Sequence, residues 1–480
     1  MSLLKKFLNY KLILLGFSFG VILTPAISQV KTYDLNAAIE YALIHNRDIK
    51  IASLEVDRAN AAVSEAYGYA LPTLDMSASL SHFIEKAKMP FPSFEALLNN
   101  ATYSVLFKEK VLPEDNNKYL PMETQLQSFA LSNNYETQFN LTQILFNSAV
   151  FTGIGSAGTY LQTSKVLLKN QISKSVLNVQ KAFYSALLMK EMKSVIEVSY
   201  KTFEETVLNV QKLYNEGMVS EFDYLQLKVQ LENFKPKLIE AENGYRMTLD
   251  ALKLAISMDK SEDLDIAGSY DGNNFDTPEI DEAISDGLKN NLDIMSLEYK
   301  KKVDEAFVDL DRSEYYPTIA AFANATFSGA ADDFKYANYR SAIVGVSFTM
   351  NLFNGLKTDR KVEQQLINVE KTNEQISNVK DAVAIGIKSK ILDLQRMKEN
   401  IKSTSENVKL SERAYQIAEL RLREGTGTQL ELMNAETAKR EAILNKYKAI
   451  TDAMNTKFDL DNLLGIINPE YLKTFDKKLN

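Results

Sequence analysis

The sequence predicts a mainly helical protein with a small membrane β part, built as two copies of one helix–strand–strand–helix–helix plan. Three observations predict it. Segments of the first half return in the second, four stretches alternate between an apolar and a polar face, and two long stretches carry helical periodicity without a single proline. A repeat dictates architecture, so it is traced first. Ala38-Ile39-Glu40-Tyr41-Ala42-Leu43 through Asn46-Arg47-Asp48-Ile49 returns as Ala283-Ile284-Ser285-Asp286-Gly287-Leu288 through Asn291-Leu292-Asp293-Ile294, an offset of 245 that still holds at Pro72-Thr73 and Pro317-Thr318. Further on the offset falls to 207 or 208, since Leu145-Phe146-Asn147 matches Leu352-Phe353-Asn354 and Glu216-Gly217 matches Glu424-Gly425. The first half therefore holds 38 extra residues, which fall in the proline-containing stretch 85–134, expected to be a long surface loop. The two repeats are placed at 29–277 and 278–480.

Composition narrows the class. The 480 residues are 45% hydrophobic and 25% charged, with 18 Gly and 10 Pro, a low number of breakers that suits long helices. With no Cys there is no disulfide framework, cysteine zinc site, iron–sulfur cluster or thiol nucleophile, and no cysteine for a lipid anchor. A net charge of −8 argues against a nucleic-acid partner. No apolar run past the first 25 residues approaches the roughly 18 to 20 that a membrane-spanning helix needs.

The elements follow in order. Lys5, Lys6 and Lys11, an apolar stretch from Leu12 to Leu23, and small residues at Ala26 and Ser28 read as a signal peptide, 1–28, cleaved after Ser28. Its loss takes the net charge from −8 to −11. Each half then opens with a short helix (35–46 and 279–290) and a longer one that stops before Pro72 or Pro317, where the residue preceding proline leaves the α region. The period next changes from 3.6 to 2 in hairpins at 73–146 and 318–353. Leu74, Met76, Ala78 and Leu80 alternate with Thr73, Asp75, Ser77 and Ser79, and Ala342, Val344, Val346 and Phe348 alternate with Ile343, Gly345 and Ser347. About ten residues at ~3.3 Å, tilted, match the apolar band of an outer-membrane barrel. Four strands cannot close, because the smallest such barrels have about eight, so the chain must oligomerise through its strands. Tyr67, Tyr69, Phe146, Tyr315, Tyr316 and Phe353 stand where an aromatic belt belongs. Gly153, Gly155 and Gly158 are expected to shape the passage from strand to helix, and Pro236 to kink a helix. Helical hairpins at 150–258 and 357–465 complete each half. Their tips are marked by Gly217 with Ser220 and by Gly425 with Thr428, a glycine stop followed by an N-cap.

The signal peptide, the duplicated plan, the Leu-Phe-Asn ends of the second strands and the Gly-turn-(Ser/Thr) tips resemble the TolC-type outer-membrane efflux protein family over essentially the whole mature chain. The resemblance implies a homotrimer with a twelve-stranded β-barrel in outer-membrane lipid and a long periplasmic α-barrel. It implies an exit duct for small molecules or proteins in a tripartite efflux or type I secretion system, with a periplasmic adaptor docked on the helical tips and an inner-membrane transporter. It also implies roles at the pore tip for the acidic position six residues after each tip glycine: Glu431 faces the closed constriction in an acidic ring that favours cations, and Asp223 takes part in links that hold the closed state. A second acidic ring of the family falls on Asn434, and a basic residue that ties the tip falls on Gly427, for which Arg421 or Arg423 could substitute. No catalytic, cofactor or metal-binding constellation is expected, and the chain does not read as an enzyme. His45 and Asn46 read as a helix terminus. The competing reading is a secreted coiled-coil scaffold or adhesin without a pore, in which the strands would pack on the chain's own helices.

Overall fold

The computed structural model describes residues 31–270, 275–333 and 335–479; the expected signal peptide lies outside the described residues. The chain opens with β1 (Lys31–Tyr33), α1 (Leu35–His45), α2 (Arg47–Gly68) and β2 (Thr73–His82). After β2 come β3 (Met89–Pro92), α3 (Phe94–Lys108), β4 (Thr124–Gln127) and β5 (Asn133–Asn147), then the hairpin α4 (Ser148–Asn215) and α5 (Glu221–Ile256) and the short β6 (Leu264–Ile266). The second half runs through α6 (Ile280–Asn290), α7 (Leu292–Arg312), β7 (Thr318–Ala331), β8 (Ala337–Thr349), α8 (Lys357–Arg423) and α9 (Gln429–Leu463), and ends in α10 (Pro469–Lys473) and α11 (Asp476–Leu479).

The duplication reaches the atoms that cap the helices. Asn46 and Asn291 end the short helices with the same backbone angles, φ −61° and ψ 126°. Asn46 Nδ2 donates to the Ala255 carbonyl at 2.8 Å, and Asn291 Nδ2 to the Leu463 carbonyl at 2.9 Å. Those acceptors belong to the last turns of α5 and α9, which are closed by left-handed residues, Ser257 (φ 56°) and Gly465 (φ 71°). Each asparagine thus joins the end of a hairpin to the start of its repeat and satisfies a carbonyl that a helix terminus leaves open. At Gly465 a side chain would also collide with the Asn290 carbonyl.

Two compact units are distinguished. One comprises 1–46, 178–274 and 397–455. Here Phe203, Val207 and Val210 of α4 and Leu227, Leu231 and Phe234 of α5 form a buried cluster that α9 enters with Met433. One turn further along α9, Glu436 and Arg440 are buried together at 2.9 Å, with side chains 11% and 8% exposed. Ser199 of α4 donates a short hydrogen bond to the Glu436 carboxylate, and the Arg440 guanidinium lies 4.8 Å from the Phe234 ring centre. In the same unit β1 pairs in parallel with β6. Burial pushes the Asp265 carboxyl up, but hydrogen bonds from Lys190 and Tyr245 outweigh it and hold the group below its ordinary value.

The other unit comprises 47–177, 275–396 and 456–480 and holds the four-stranded antiparallel sheet, in the order β2-β5-β7-β8. Facing partners share a side of the sheet, so the register sorts its residues. Leu74, Leu141, Ala323 and Val344 make one row across it and Met76, Phe139, Ala325 and Ala342 the next, all on one face. The other face is mostly polar and carries Asp75, Asn140, Asn324 and Ile343 in one row, then Ser77, Gln138, Thr326 and Ser341. Asn324 donates to Asn140, and Thr326 to Asn324 at 2.9 Å, so this polar face is laced by its own side chains. Every residue of β2 is exposed, and so are Val344 at 80% and Val346 at 67% on β8. Among the described residues, no helix covers the outer strands β2 and β8.

Several expectations are revised. The stretch 85–134 is not featureless loop: β3 pairs with β4, and α3 runs for 15 residues between them. Gly153, Gly155 and Gly158 have ordinary helical angles inside α4, and a side chain on any of them would meet open space, so they neither shape a special passage nor admit a close neighbour within the chain. The passage into α4 is made by Asn147, whose Oδ1 accepts the Val150 amide at 3.1 Å. In the second half β8 ends at Thr349, short of Leu352-Phe353-Asn354, and Gly355 and Leu356 turn the chain with φ 70° and 61°. Pro236 lies within an unbroken α5.

Two outcomes follow. Replacing Asn291 by Ala removes the cap on the Asp293 and Ile294 amides as well as the bond to Leu463, and should cost about 2 kcal/mol in denaturant unfolding. Glu436→Ala strands a buried guanidinium and should cost roughly 3 kcal/mol, whereas the double change Glu436→Leu/Arg440→Met should cost less than the single one; equal losses would mean that the pair is not buried as described.

Candidate pore tip and membrane sheet

Each tip is set by local chemistry. At the first, Gly217 (φ 75°) donates its amide to the Tyr214 carbonyl and Met218 to that of Leu213, the paired bonds of a glycine helix stop. Ser220 then caps α5. Its Oγ accepts the Asp223 amide at 3.1 Å and donates to Asp223 Oδ2 at 2.7 Å, so Asp223 is engaged by the cap. Tyr214 and Tyr224 stack across the turn at 5.5 Å. Outside that stack, Met218 and Phe222 are more than two-thirds exposed, and Leu225 and Val229 continue an apolar strip along α5.

The second tip has the same plan with a cation added. Gly425 (φ 74°) ends α8, and Thr428 and Glu431 exchange bonds: the Glu431 amide donates to Thr428 Oγ1 and the Thr428 amide to Glu431 Oε2, both at 3.2 Å. Arg421 spans the turn. One guanidinium nitrogen donates to the Thr426 carbonyl at 3.2 Å, and the other stands 3.7 Å from Glu431. Arg423 instead pairs with Glu419 on its own helix at 3.6 Å. A side chain at Gly427 would sit tightly against the Arg421 Cβ and backbone at 3.0–3.2 Å, so glycine suits the turn that brings Arg421 to Glu431. Of the predicted tip residues, Glu431, Thr428 and Arg421 come together, Asp223 joins Ser220, and Arg423 stands apart.

The periodicity places Glu431 and Asn434 on the exposed face of α9, while Met433, Glu436 and Arg440 are buried on the other. Sequence reasoning missed Glu436, Arg440 and Ser199. The available signal was an oppositely charged pair four residues apart in line with the apolar Met433. The histidines are structural: His45 stacks on Tyr41 at 4.1 Å, and His82 Nδ1 is 2.8 Å from Asn133 Oδ1. Among the described residues no group of three His, Asp or Glu side chains could hold a metal ion, and no helix is long and apolar enough to cross a membrane.

Known proteins repeat this arrangement. The profile described as "Outer membrane efflux protein" matches residues 283–466. The outer membrane protein TolC of Escherichia coli is 18% identical over 374 residues, 73% of either chain. The toluene efflux pump outer membrane protein TtgC of Pseudomonas putida is 23% identical over 308 residues, 62% of either chain. Among solved structures, the CmeC outer membrane channel of Campylobacter jejuni superposes with a TM-score of 0.71 at 16% identity, covering 93% of this chain and 89% of that one. The open MtrE channel of Neisseria gonorrhoeae gives 0.67 at 17% identity, covering 90% and 88%. The second repeat thus matches the outer membrane efflux protein profile, the first repeats its caps and tips, and the chain as a whole shares the fold of these channels.

Proposed function

We propose that three copies of this chain form the outer-membrane exit duct of a tripartite efflux or type I secretion system, passing small molecules or proteins outward. The observation that carries the reading is the sheet. It has one apolar and one polar face, and β2 and β8 keep a free edge each. In hydrocarbon an unpaired edge leaves backbone donors and acceptors without partners, at several kcal/mol for each group. Pairing β2 of one copy with β8 of the next removes every edge when three copies close a twelve-stranded barrel, apolar side to lipid and polar side to the lumen. The exposed Tyr67, Tyr69, Tyr315, Tyr316 and Phe353 suit the interface where the strands pass into helices.

The partners follow from the same reading. A periplasmic adaptor docks on the turns at Gly217, Ser220, Gly425 and Thr428, where the apolar strip around Phe222 gives it purchase, and an inner-membrane transporter supplies the cargo. Three copies of Glu431 at the constriction form an acidic ring that favours cations. Asn434, one turn on, adds no charge to it, so one ring carries the preference. The contact between Arg421 and Glu431 steadies the closed turn. No group assigned here performs chemistry.

In detergent the mature protein should scatter light as a trimer and give single-channel currents in planar bilayers; a monomer without conductance would favour the scaffold reading. In those bilayers Glu431→Gln should lower the cation-to-anion permeability ratio about twofold, whereas Asp223→Asn, which preserves the cap, should change it little. Arg421→Ala should increase the frequency of opening without altering the conductance of the open channel.

A further inference from the structure

The segment 83–132, which joins the outer ends of β2 and β5, leaves much of its apolar surface exposed. Toward its own chain α3 turns two asparagines together with Phe107, whose ring meets that of Tyr119 at 5.9 Å. Asn100 Nδ2 donates to the Leu120 carbonyl and its Oδ1 accepts the Leu120 amide, both at 2.8 Å, and Asn99 Nδ2 donates to the Lys118 carbonyl at 2.6 Å. Away from it α3 presents Leu98, Ala101 and Val105, spaced by three and four residues, with Leu98 and Val105 58% and 60% exposed, while Phe94 in the first turn stacks on Phe91 of β3. Between Glu95 and Lys108 the helix has no charge. Ala96 is the one buried apolar residue of the whole segment, while Ile84, Met89, Val111 and Leu126 are all more than half exposed. A helix that still exposes an uncharged apolar strip after its inner side is partnered is half of an interface.

The segment is held in place at its base. Asp332, in the turn between β7 and β8, accepts from Lys86 Nζ at 2.5 Å and from the Ser132 amide and hydroxyl at 2.8 and 2.7 Å, and the Phe83 amide donates to the Ser132 carbonyl at 2.8 Å. The apolar face of α3 is therefore carried on a base tied at both ends to the sheet.

We infer that this face docks a second copy of the chain, so that α3 packs against a neighbouring subunit at the outer mouth of the barrel. The inference rests on the trimer proposed above. Two observations select the occupant. The segment grows directly from β2, the edge strand that pairs with the next copy, and so continues that interface outward. Its charges also nearly balance, six carboxylates against five lysines between 83 and 132. Three such segments can meet around an axis without repulsion, whereas an anionic lipid surface would call for a basic face. Subunit contact is thereby extended beyond the membrane strands, and the 38 extra residues of the first repeat gain a role that the second repeat does not have to share.

The test uses the full chain in detergent, with benzoylphenylalanine placed singly at Leu98, at Val105 and, as a control, at Glu114. Light scattering first establishes the trimer; a monomer at this step overturns the trimeric reading and the inference with it. Irradiation of the trimer should give adducts of two chains on a denaturing gel from Leu98 and Val105, and far fewer from Glu114. A trimer in which Leu98 and Val105 yield only single chains, or adducts with lipid or a different protein, overturns the inference alone. The variant Leu98→Asp/Val105→Asp should remain trimeric through its strands yet dissociate at a temperature about 10 °C lower; an unchanged dissociation temperature counts against the interface.

Discussion

The structure depends on one constraint: a backbone amide or carbonyl placed in hydrocarbon must be hydrogen-bonded within the protein. The four strands satisfy this in their interior, through the registers of β2 with β5, β5 with β7 and β7 with β8. They cannot satisfy it at the rims. The rest follows from the two free edges. Alternation of apolar and polar faces has meaning only for a sheet with lipid on one side and water on the other, and that arrangement is stable only if the sheet closes. Four strands per chain then restrict a closed barrel to multiples of four: two copies reach eight strands, whose interior side chains fill, and the three copies proposed above reach twelve, which leaves room for a lumen.

Duplication explains how one chain meets the constraint with few kinds of part. Asn46 and Asn291 do the same work on different acceptors, Ala255 and Leu463, and the left-handed residues behind those acceptors are Ser257 in one half and Gly465 in the other. The geometry is shared and the residue is not. Glycine is required at 465 because the Asn290 carbonyl presses on it, whereas Ser257 accepts the strain of a positive φ where no such contact forbids a side chain. The tips diverge similarly. Both use a glycine stop and a hydroxyl cap, but only the second brings a guanidinium to its acidic residue.

Much of this was legible in the sequence because it is written in period and punctuation. The repeat, the bounds of α8, the four strands and the two tip turns each leave a pattern within a few residues: a proline that stops a helix, a glycine followed by Ser220 or Thr428, an alternation such as Leu74 to Leu80. What was not legible depends on groups far apart in the chain. Gly153, Gly155 and Gly158 look like a passage from strand to helix, yet Asn147 already caps α4, and helix propagation through three glycines, at about 1 kcal/mol each, is sustained by the long helix around them. The prolines at 90, 92, 113 and 121 conceal α3, which starts after Pro92 with Ser93 as its cap and ends before Pro113. Arg421 and Arg423 are equivalent in sequence, two basic residues at the end of one helix. Only the path of the turn decides that the first reaches across and the second lies back on Glu419.

The path of that turn also suits the glycine at 427. Glycine there lets Thr426 and Gly427 both donate to the Arg421 carbonyl, which tightens the end of α8 and lays the Arg421 side chain over the turn toward Glu431. A longer side chain at 427 would press on the Arg421 backbone at 3.0–3.2 Å and require that turn to give by a few tenths of an ångström. In this chain the cation that reaches Glu431 comes from the last turn of α8. The pair that results is exposed, with both side chains about half accessible, so its Coulomb energy is small. A strong link would hold the turn shut against any partner. A weak one biases it only slightly, so that in the proposed duct an adaptor seated on the same turn would need few contacts to overcome it.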